Sequence, residues 1–442
     1  MLGNDGVSSQ QLTPKAPTLR WRGSSGFGPS RGSVVIGSLL YQLALTGVYL
    51  TDAADGRVLW SYPLAQSTIG SADFNPSPLA AQCGDRQILV ACNRYKIVVW
   101  DVTNVNGVTV LPRVLWIFAP PAVPQPEPYP QPIDPYINPV TVISSAEYNS
   151  TLVVFNWIPF FSIFSQWRLE ARRCDTGETL YQTLLPNTTS GASAFISVAT
   201  APSTSSSTSS RQVLVFEIKG SASDRECNKS LLAVHDADTG AVISHHPLLY
   251  GAQFCPMNVV IGDGDVAVVL FADGVLRALR ISTGLELWTF AGRNVINIQG
   301  NSAYNQQAVT MSADRSMVFV NWITSHLYAL NATTGTLVWE FYDPVLVSYS
   351  LIRLSVLYTP GDLLLVLQSG YMRAFNARDG SVKWTVPVGG EVFHSIALDS
   401  RGGLYLTSQY SDLVSAYEPG ILFALQILFL LLNSHSSSFN FY

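Results

Sequence analysis

Charged residues are scarce in this chain. Asp, Glu, Lys and Arg make up 12% of its 442 residues, about half the usual share. The formal net charge is −5 and no run of Lys and Arg occurs. Binding to nucleic acid needs clustered cations that displace counterions, so that class is excluded. Cysteine is rare as well. The five residues, Cys83, Cys92, Cys174, Cys227 and Cys255, include no adjacent pair and no CxxC. They read as single buried or half-buried thiols. Cys83 and Cys92 could meet across a hairpin, and the redox compartment stays open. The first twenty residues lack the apolar core of a signal peptide. No stretch keeps a 3.6-residue period with caps, so almost no helix is expected. H-E-x-x-H, G-x-S-x-G and P-loop motifs are all missing.

Apolar residues, glycine and proline are abundant. Hydrophobic residues reach 48%, with 32 glycines, 25 prolines and 11% aromatics. That composition excludes disorder and suggests many short strands joined by tight turns.

One segment keeps returning. Ala329–Trp339 reads ALNATTGTLVW and Ala374–Trp384 reads AFNARDGSVKW. Ala278–Trp288 and Leu50–Trp60 follow the same scheme. In each, a Gly precedes a Trp by four residues: Gly56/Trp60, Gly284/Trp288, Gly335/Trp339 and Gly380/Trp384. Weaker copies keep the turn at Gly107, Gly177, Gly240 and Gly420. Trp116 arrives late after an enlarged loop at Gly107, while Tyr181 and Ser244 stand where Trp would be. The turn glycines lie 40 to 70 residues apart. The two longest intervals hold a Pro-rich insertion at Pro120–Pro139 and a Ser/Thr-rich one at Thr200–Ser210, both read as loops. Without them the period is that of a four-stranded blade, about 40–50 residues.

Each position has a physical reason. The turn needs a left-handed residue, which Gly supplies. The Trp on the outgoing strand would plug the gap between neighbouring blades. Ahead of each turn lie apolar runs such as LLLVLQSGYMRAF from Leu363, read as the two inner strands of a blade. The copy ending at Gly420 lacks its Trp strand, and Thr18–Trp21 (TLRW), which matches Thr336–Trp339 (TLVW), is expected to supply it. The expected fold is therefore an all-β, eight-bladed β-propeller of four-stranded antiparallel blades over residues 18–420, its ring closed by the N-terminal strand.

The pattern A-L-[ND]-A-x-[TD]-G-x-x-x-W resembles the PQQ-like (pyrroloquinoline quinone) repeat over about residues 18–420. That family contains quinoprotein alcohol and glucose dehydrogenases, with the quinone and Ca²⁺ over the ring centre. It also contains non-catalytic members, such as the lipoprotein of the outer-membrane β-barrel assembly machinery, and lumenal or extracellular sensor domains. The resemblance implies that the Trp motif is structural. The adjacent-cysteine disulfide of the alcohol-oxidising branch has no counterpart here.

The remaining polar residues read as architecture. Asp85, Asp265, Asp314, Asp362 and Asp399 recur at turns before strands. Gly262–Asp265 (GDGD) starts like a calcium loop but lacks the further ligands. His245 and His246 are adjacent on a strand and point to opposite faces. No catalytic, cofactor-binding or metal residue is assigned, and no cofactor is expected. The expected function is a non-catalytic scaffold for a protein, peptide or glycan, the alternative being a PQQ- and calcium-dependent dehydrogenase of an alcohol or sugar. The Pro-rich insertion could dock a partner. The apolar tail segment Ile421–Leu432 is too short to span a bilayer, and residues 421–442 read as a tail, an aberrant chain end being one reading. Low charge and the resemblance favour a location outside the cytoplasm or in a secretory lumen.

Overall fold

The computed structural model describes residues 16–24, 30–64, 78–121, 136–158, 167–185, 198–202, 211–219, 229–247, 256–292, 308–343, 355–388, 393–408 and 413–418. Within these spans, positions 45, 94, 138–139, 146–147, 149, 264, 272–274, 323–325, 360 and 369 are excepted. Gly420, the tail, Cys227, Cys255 and most of both insertions lie outside the described residues.

Every regular element among the described residues is a β-strand. The sheet over 308–342 shows how the sequence builds a blade. Ala308–Met311, Met317–Trp322, His326–Asn331 and Leu337–Tyr342 pair in chain order as an antiparallel meander. The two middle strands are apolar on both faces because both faces are covered. Val318, Val320 and Leu330 pack towards the preceding sheet, and Phe319, Leu327 and Ala329 towards the following one. The outer strand has one buried residue, Trp339, between exposed Leu337 and Val338 and half-buried Glu340. The long apolar runs are thus the second and third strands. The innermost strand is the shorter, less apolar segment before them, a correction to their reading as the inner pair.

The innermost strands meet one another in a closed order. Ser30–Ile36 touches Leu79–Cys83, and the series continues through Thr141–Ser145, Val198–Pro202, Pro256–Ile261, Ala308–Met311, Ser355–Thr359 and Phe393–Leu398, which touches Ser30–Ile36 again. The last sheet is completed by the first strand. Thr18–Ser24 pairs antiparallel with Leu413–Glu418, and Trp21 lies opposite Ala416. Closure removes the exposed edges that an open ring of blades would leave.

The expectation of eight four-stranded blades is corrected. Seven blades have four strands; the remaining sheet, over 136–184, has five. Its second strand, Ser150–Ile158, is nine residues long. Its first half pairs with Thr141–Ser145, and Trp157 and Ile158 at its far end pair with the two-residue strand Tyr136–Ile137. The end of the Pro-rich insertion is therefore sheet, not loop. The Ser/Thr-rich insertion is corrected likewise, since Thr200, Ala201 and Pro202 belong to the strand Val198–Pro202.

Candidate interaction surface

The repeat residues meet across blade boundaries. Ala332 follows the third strand of its blade and precedes Gly335 by three. Its carbonyl accepts a hydrogen bond of 3.0 Å from Trp288 Nε1 of the preceding blade. The same bond runs from Trp21 to Ala53 (3.0 Å), from Trp116 to Cys174 (3.0 Å) and from Trp339 to Ala377 (2.8 Å). Tyr181 substitutes its hydroxyl, 3.1 Å from the Ala237 carbonyl. The turn itself is fixed locally. Asn331 Oδ1 accepts from the amides of Thr333 (2.9 Å) and Thr334 (3.0 Å), and Gly335 N donates to Asn331 O at 2.8 Å. Gly335 has φ +70°, a left-handed conformation that side-chain-bearing residues avoid. Its missing Cβ also matters, because a Cβ there would stand 2.6 Å from the Trp288 ring. An alanine on the third strand faces the Trp in three blades: Ala278 opposite Trp288, Ala329 opposite Trp339 and Ala374 opposite Trp384.

Two positions depart from this plan. Trp60 does not cover Gly107; Leu59 does. Trp60 packs instead at a near-right angle to Trp100, at 6.3 Å between centroids. Ser244 is also bypassed, and His246 two residues later lies against Gly284. Trp384 is buried, and its partner turn at Gly420 lies outside the described residues.

The turns joining first to second and third to fourth strands lie at one end of the ring, as the bond from Ala332 N to Ser316 O shows. Two features stand out on this face. The first is a group of charged turn residues on neighbouring blades. Arg315 Nη1 donates to Gly262 O at 3.3 Å, and Asp362 accepts from Tyr358 Oη at 2.6 Å and from Arg378 Nε at 2.5 Å. Burial opposes ionisation of Asp362, but those bonds and the Arg378 charge outweigh it and hold the carboxyl below its ordinary range. Bonds from Ser312 and Ser316 do the same for Asp314. The second feature is the enlarged turn after the strand Ile97–Asp101. Asn106 Oδ1 accepts from the amides of Val108, Thr109 and Val110 at 3.0, 2.9 and 3.0 Å. This rigid cap presents Val108 (71% exposed), Val110 (43%) and Leu111 (45%) to solvent. Sequence reasoning noted the enlargement but missed the apolar tip. Three aliphatics within four residues were the available signal.

The ring centre offers little for a quinone and Ca²⁺. The innermost strands carry Arg31 and His394 but no Asp or Glu. Their amides are Gln82 and Asn258. A calcium site draws its charge from carboxylates, so the described residues do not fit that cofactor. The acidic turn residues are engaged elsewhere. Asp265 accepts from Ser282 N at 2.8 Å, and Asp399 accepts from Gly403 N (2.8 Å) and Tyr405 Oη (3.0 Å). His235 is buried with Nδ1 3.1 Å from Gly240 O, and burial pushes its pKa down. Asp263 and Asp265 of the GDGD stretch face different partners, Arg315 and Ser282.

Among the described residues one trio could offer metal ligands, Cys83, Cys174 and Asp175. Its sulfurs are already joined to each other in a disulfide with a Cα–Cα distance of 6.0 Å. The Asp175 carboxylate takes Arg173 at 3.2 Å. This pairing corrects the reading of Cys83 and Cys174 as single thiols, and it pairs Cys83 with a residue other than Cys92. The separation of 91 residues gave no local signal. Cys92 is free and buried.

Comparison with known proteins follows the repeat. Residues 228–402 match the family described as outer membrane protein assembly factor BamB. The BamB of Moranella endobia (strain PCIT) is 26% identical over 157 residues, which cover 35% of this chain and 37% of that protein. The match thus spans little over a third of that relative's length. The crystal structure of BamB from Moraxella catarrhalis superposes with a TM-score of 0.52 at 13% identity, covering 91% of this chain and all of that one. The quinohemoprotein alcohol dehydrogenase ADHIIG of Pseudomonas putida HK5 gives 0.59 at 14% identity, over 91% of this chain and 76% of that one. At such identities the structural likeness shows the fold alone. Repeat pattern, the family match over residues 228–402 and the fold together support a PQQ-like repeat β-propeller.

Proposed function

We propose that this propeller is a non-catalytic scaffold that binds a protein or peptide partner outside the reducing cytoplasm. The observation that carries the reading is the Asn106-capped turn, which holds exposed Val108, Val110 and Leu111 together at one tip of the turn face. Such a preformed apolar tip loses little entropy on docking. The match to assembly factors supports a protein partner over a glycan, and their outer-membrane description supports the location. The carboxylate-free inner strands weigh against the dehydrogenase alternative.

Panning a displayed peptide library against the immobilised protein tests this. Binders should be recovered and should lose at least tenfold in affinity towards Val108→Asp/Leu111→Asp. Binders indifferent to that change would move the site elsewhere. Saturable binding of pyrroloquinoline quinone with Ca²⁺, followed by absorbance, would overturn the non-catalytic reading.

A further inference from the structure

The disulfide stands at one of the repeat's own positions. Cys174 precedes Gly177 by three and takes the place held by Ala53, Ala237, Ala332 and Ala377 in other blades. Like them it accepts the bond from the preceding outer strand, here Trp116. Its sulfur then reaches back to Cys83, at the end of the innermost strand Leu79–Cys83 of that same preceding blade. The five-stranded sheet is therefore tied to its predecessor twice at one turn. Further contacts gather at this seam. Thr151 Oγ1 donates to Gln82 O at 2.6 Å, the Arg172 guanidinium lies 4.4 Å from the Phe118 ring centre, and Phe118 packs on Phe155 at 4.9 Å.

We infer that Cys83–Cys174 is a redox-governed staple. Oxidised, it locks the five-stranded sheet against the preceding blade; reduced, it leaves that seam as the loosest joint of the ring. The location at this seam follows from its architecture. Here the regular blade is replaced by a sheet whose inner strand is split in two. The staple compensates by constraining a 91-residue span of the unfolded chain.

Burial sets the kinetics. Cys83 and Cys174 are both buried, so an attacking thiolate reaches them only when the seam opens. The exchange itself is ordinary. One thiolate of an external dithiol bonds to one sulfur, and the other cysteine leaves as a thiolate and takes up a proton. The second thiol of the reductant then resolves the mixed disulfide. Two electrons pass from the dithiol to the cystine.

The test uses the full chain made in an oxidising compartment. Non-reducing peptide mapping should show Cys83 linked to Cys174 and Cys92 alkylated only after unfolding. Dithiothreitol should reduce the pair slowly in buffer and much faster in sub-denaturing urea. After reduction and alkylation, Tm should fall by about 5 °C. Amide exchange should rise by about tenfold or more in residues 79–118 and 141–184, while residues 308–342 keep their protection. Cys83→Ala/Cys174→Ala should reproduce that pattern without reductant, and in-place reduction of the wild-type chain decides the matter should the variant fail to fold. Free Cys83 and Cys174 in the oxidised preparation would overturn the inference. So would an unchanged Tm, or an exchange increase spread evenly over all blades.

Discussion

Trp288 and Gly335 belong to neighbouring blades and are shaped for each other: the indole covers the turn at the place where any Cβ would intrude, 2.6 Å from the ring. The same indole donates to Ala332 O at 3.0 Å. One residue thus reads both the conformation and the bareness of the next turn.

Gly335→Ala should therefore destabilise twice over. Alanine must adopt φ near +70°, and its methyl must displace the indole. The combined cost is about 2–4 kcal/mol. A fall in the urea midpoint without a change in slope would register it. A variant as stable as the parent would show that the blades slide freely past each other.

The Trp residues should not be equivalent. Trp339→Ala removes a docked, hydrogen-bonded indole and should cost about 3–5 kcal/mol. Trp60→Ala should cost clearly less, about 1–2 kcal/mol, because Trp60 is only half buried and Leu59 occupies the docking place. Parallel denaturation curves of the two variants would rank them; equal losses would contradict the altered packing at Gly107.

Acid should weaken the fold through its turn face and its buried histidine. Asp314 and Asp362 have carboxyls held below their ordinary range. Their contribution is present above the unfolded value near pH 4 and fades as pH drops through the folded one. His235, pushed below its usual value of 6.5, acts in the same direction. The unfolded chain takes up that proton first, so stability declines as pH falls below about 6.5. Urea midpoints measured from pH 7 to pH 3 should decrease steadily. Asp362→Asn should flatten the part of the slope below pH 5.

The capped turn should separate stability from binding. Val108→Asp and Leu111→Asp alter exposed side chains and should shift stability by no more than about 0.5 kcal/mol. Asn106→Ala removes the acceptor for three amides and should cost about 1–2 kcal/mol. Thermal melts of the three variants would verify the order, and a large loss in Val108→Asp would mean that the tip is packed rather than presented.

What could be read from the chain beforehand follows the range of each interaction. Gly335 and Trp339 were legible because a left-handed turn and a large indole each leave a mark within a few residues. Trp21 was legible because its strand repeats the same local pattern. The substitution of Leu59 for Trp60 and of His246 for Ser244 was hidden. Those choices depend on the neighbouring blade's turn, which lies about fifty residues on along a typical period. The pairing of Cys83 with Cys174 was invisible for the same reason. The fifth strand was concealed by its setting, since Tyr136–Ile137 sits inside a proline-rich stretch that reads as extended and unpaired. The apolar tip was visible as letters, Val108, Val110 and Leu111, but only the Asn106 bonds show that it is held out rigidly.

The closing sheet has a consequence for how the molecule comes into being. Arg22 Nε bonds to Ser415 Oγ across 393 residues of sequence. During synthesis the earlier blades can stack as they emerge, each resting on the one before. The first strand must wait, its edge unsatisfied, until Leu413–Glu418 has left the ribosome. The ring is thus a purse drawn shut by its last stitch. Chains interrupted before that point would carry an open strand at one end and a bare sheet at the other, complementary surfaces that can join one molecule to the next.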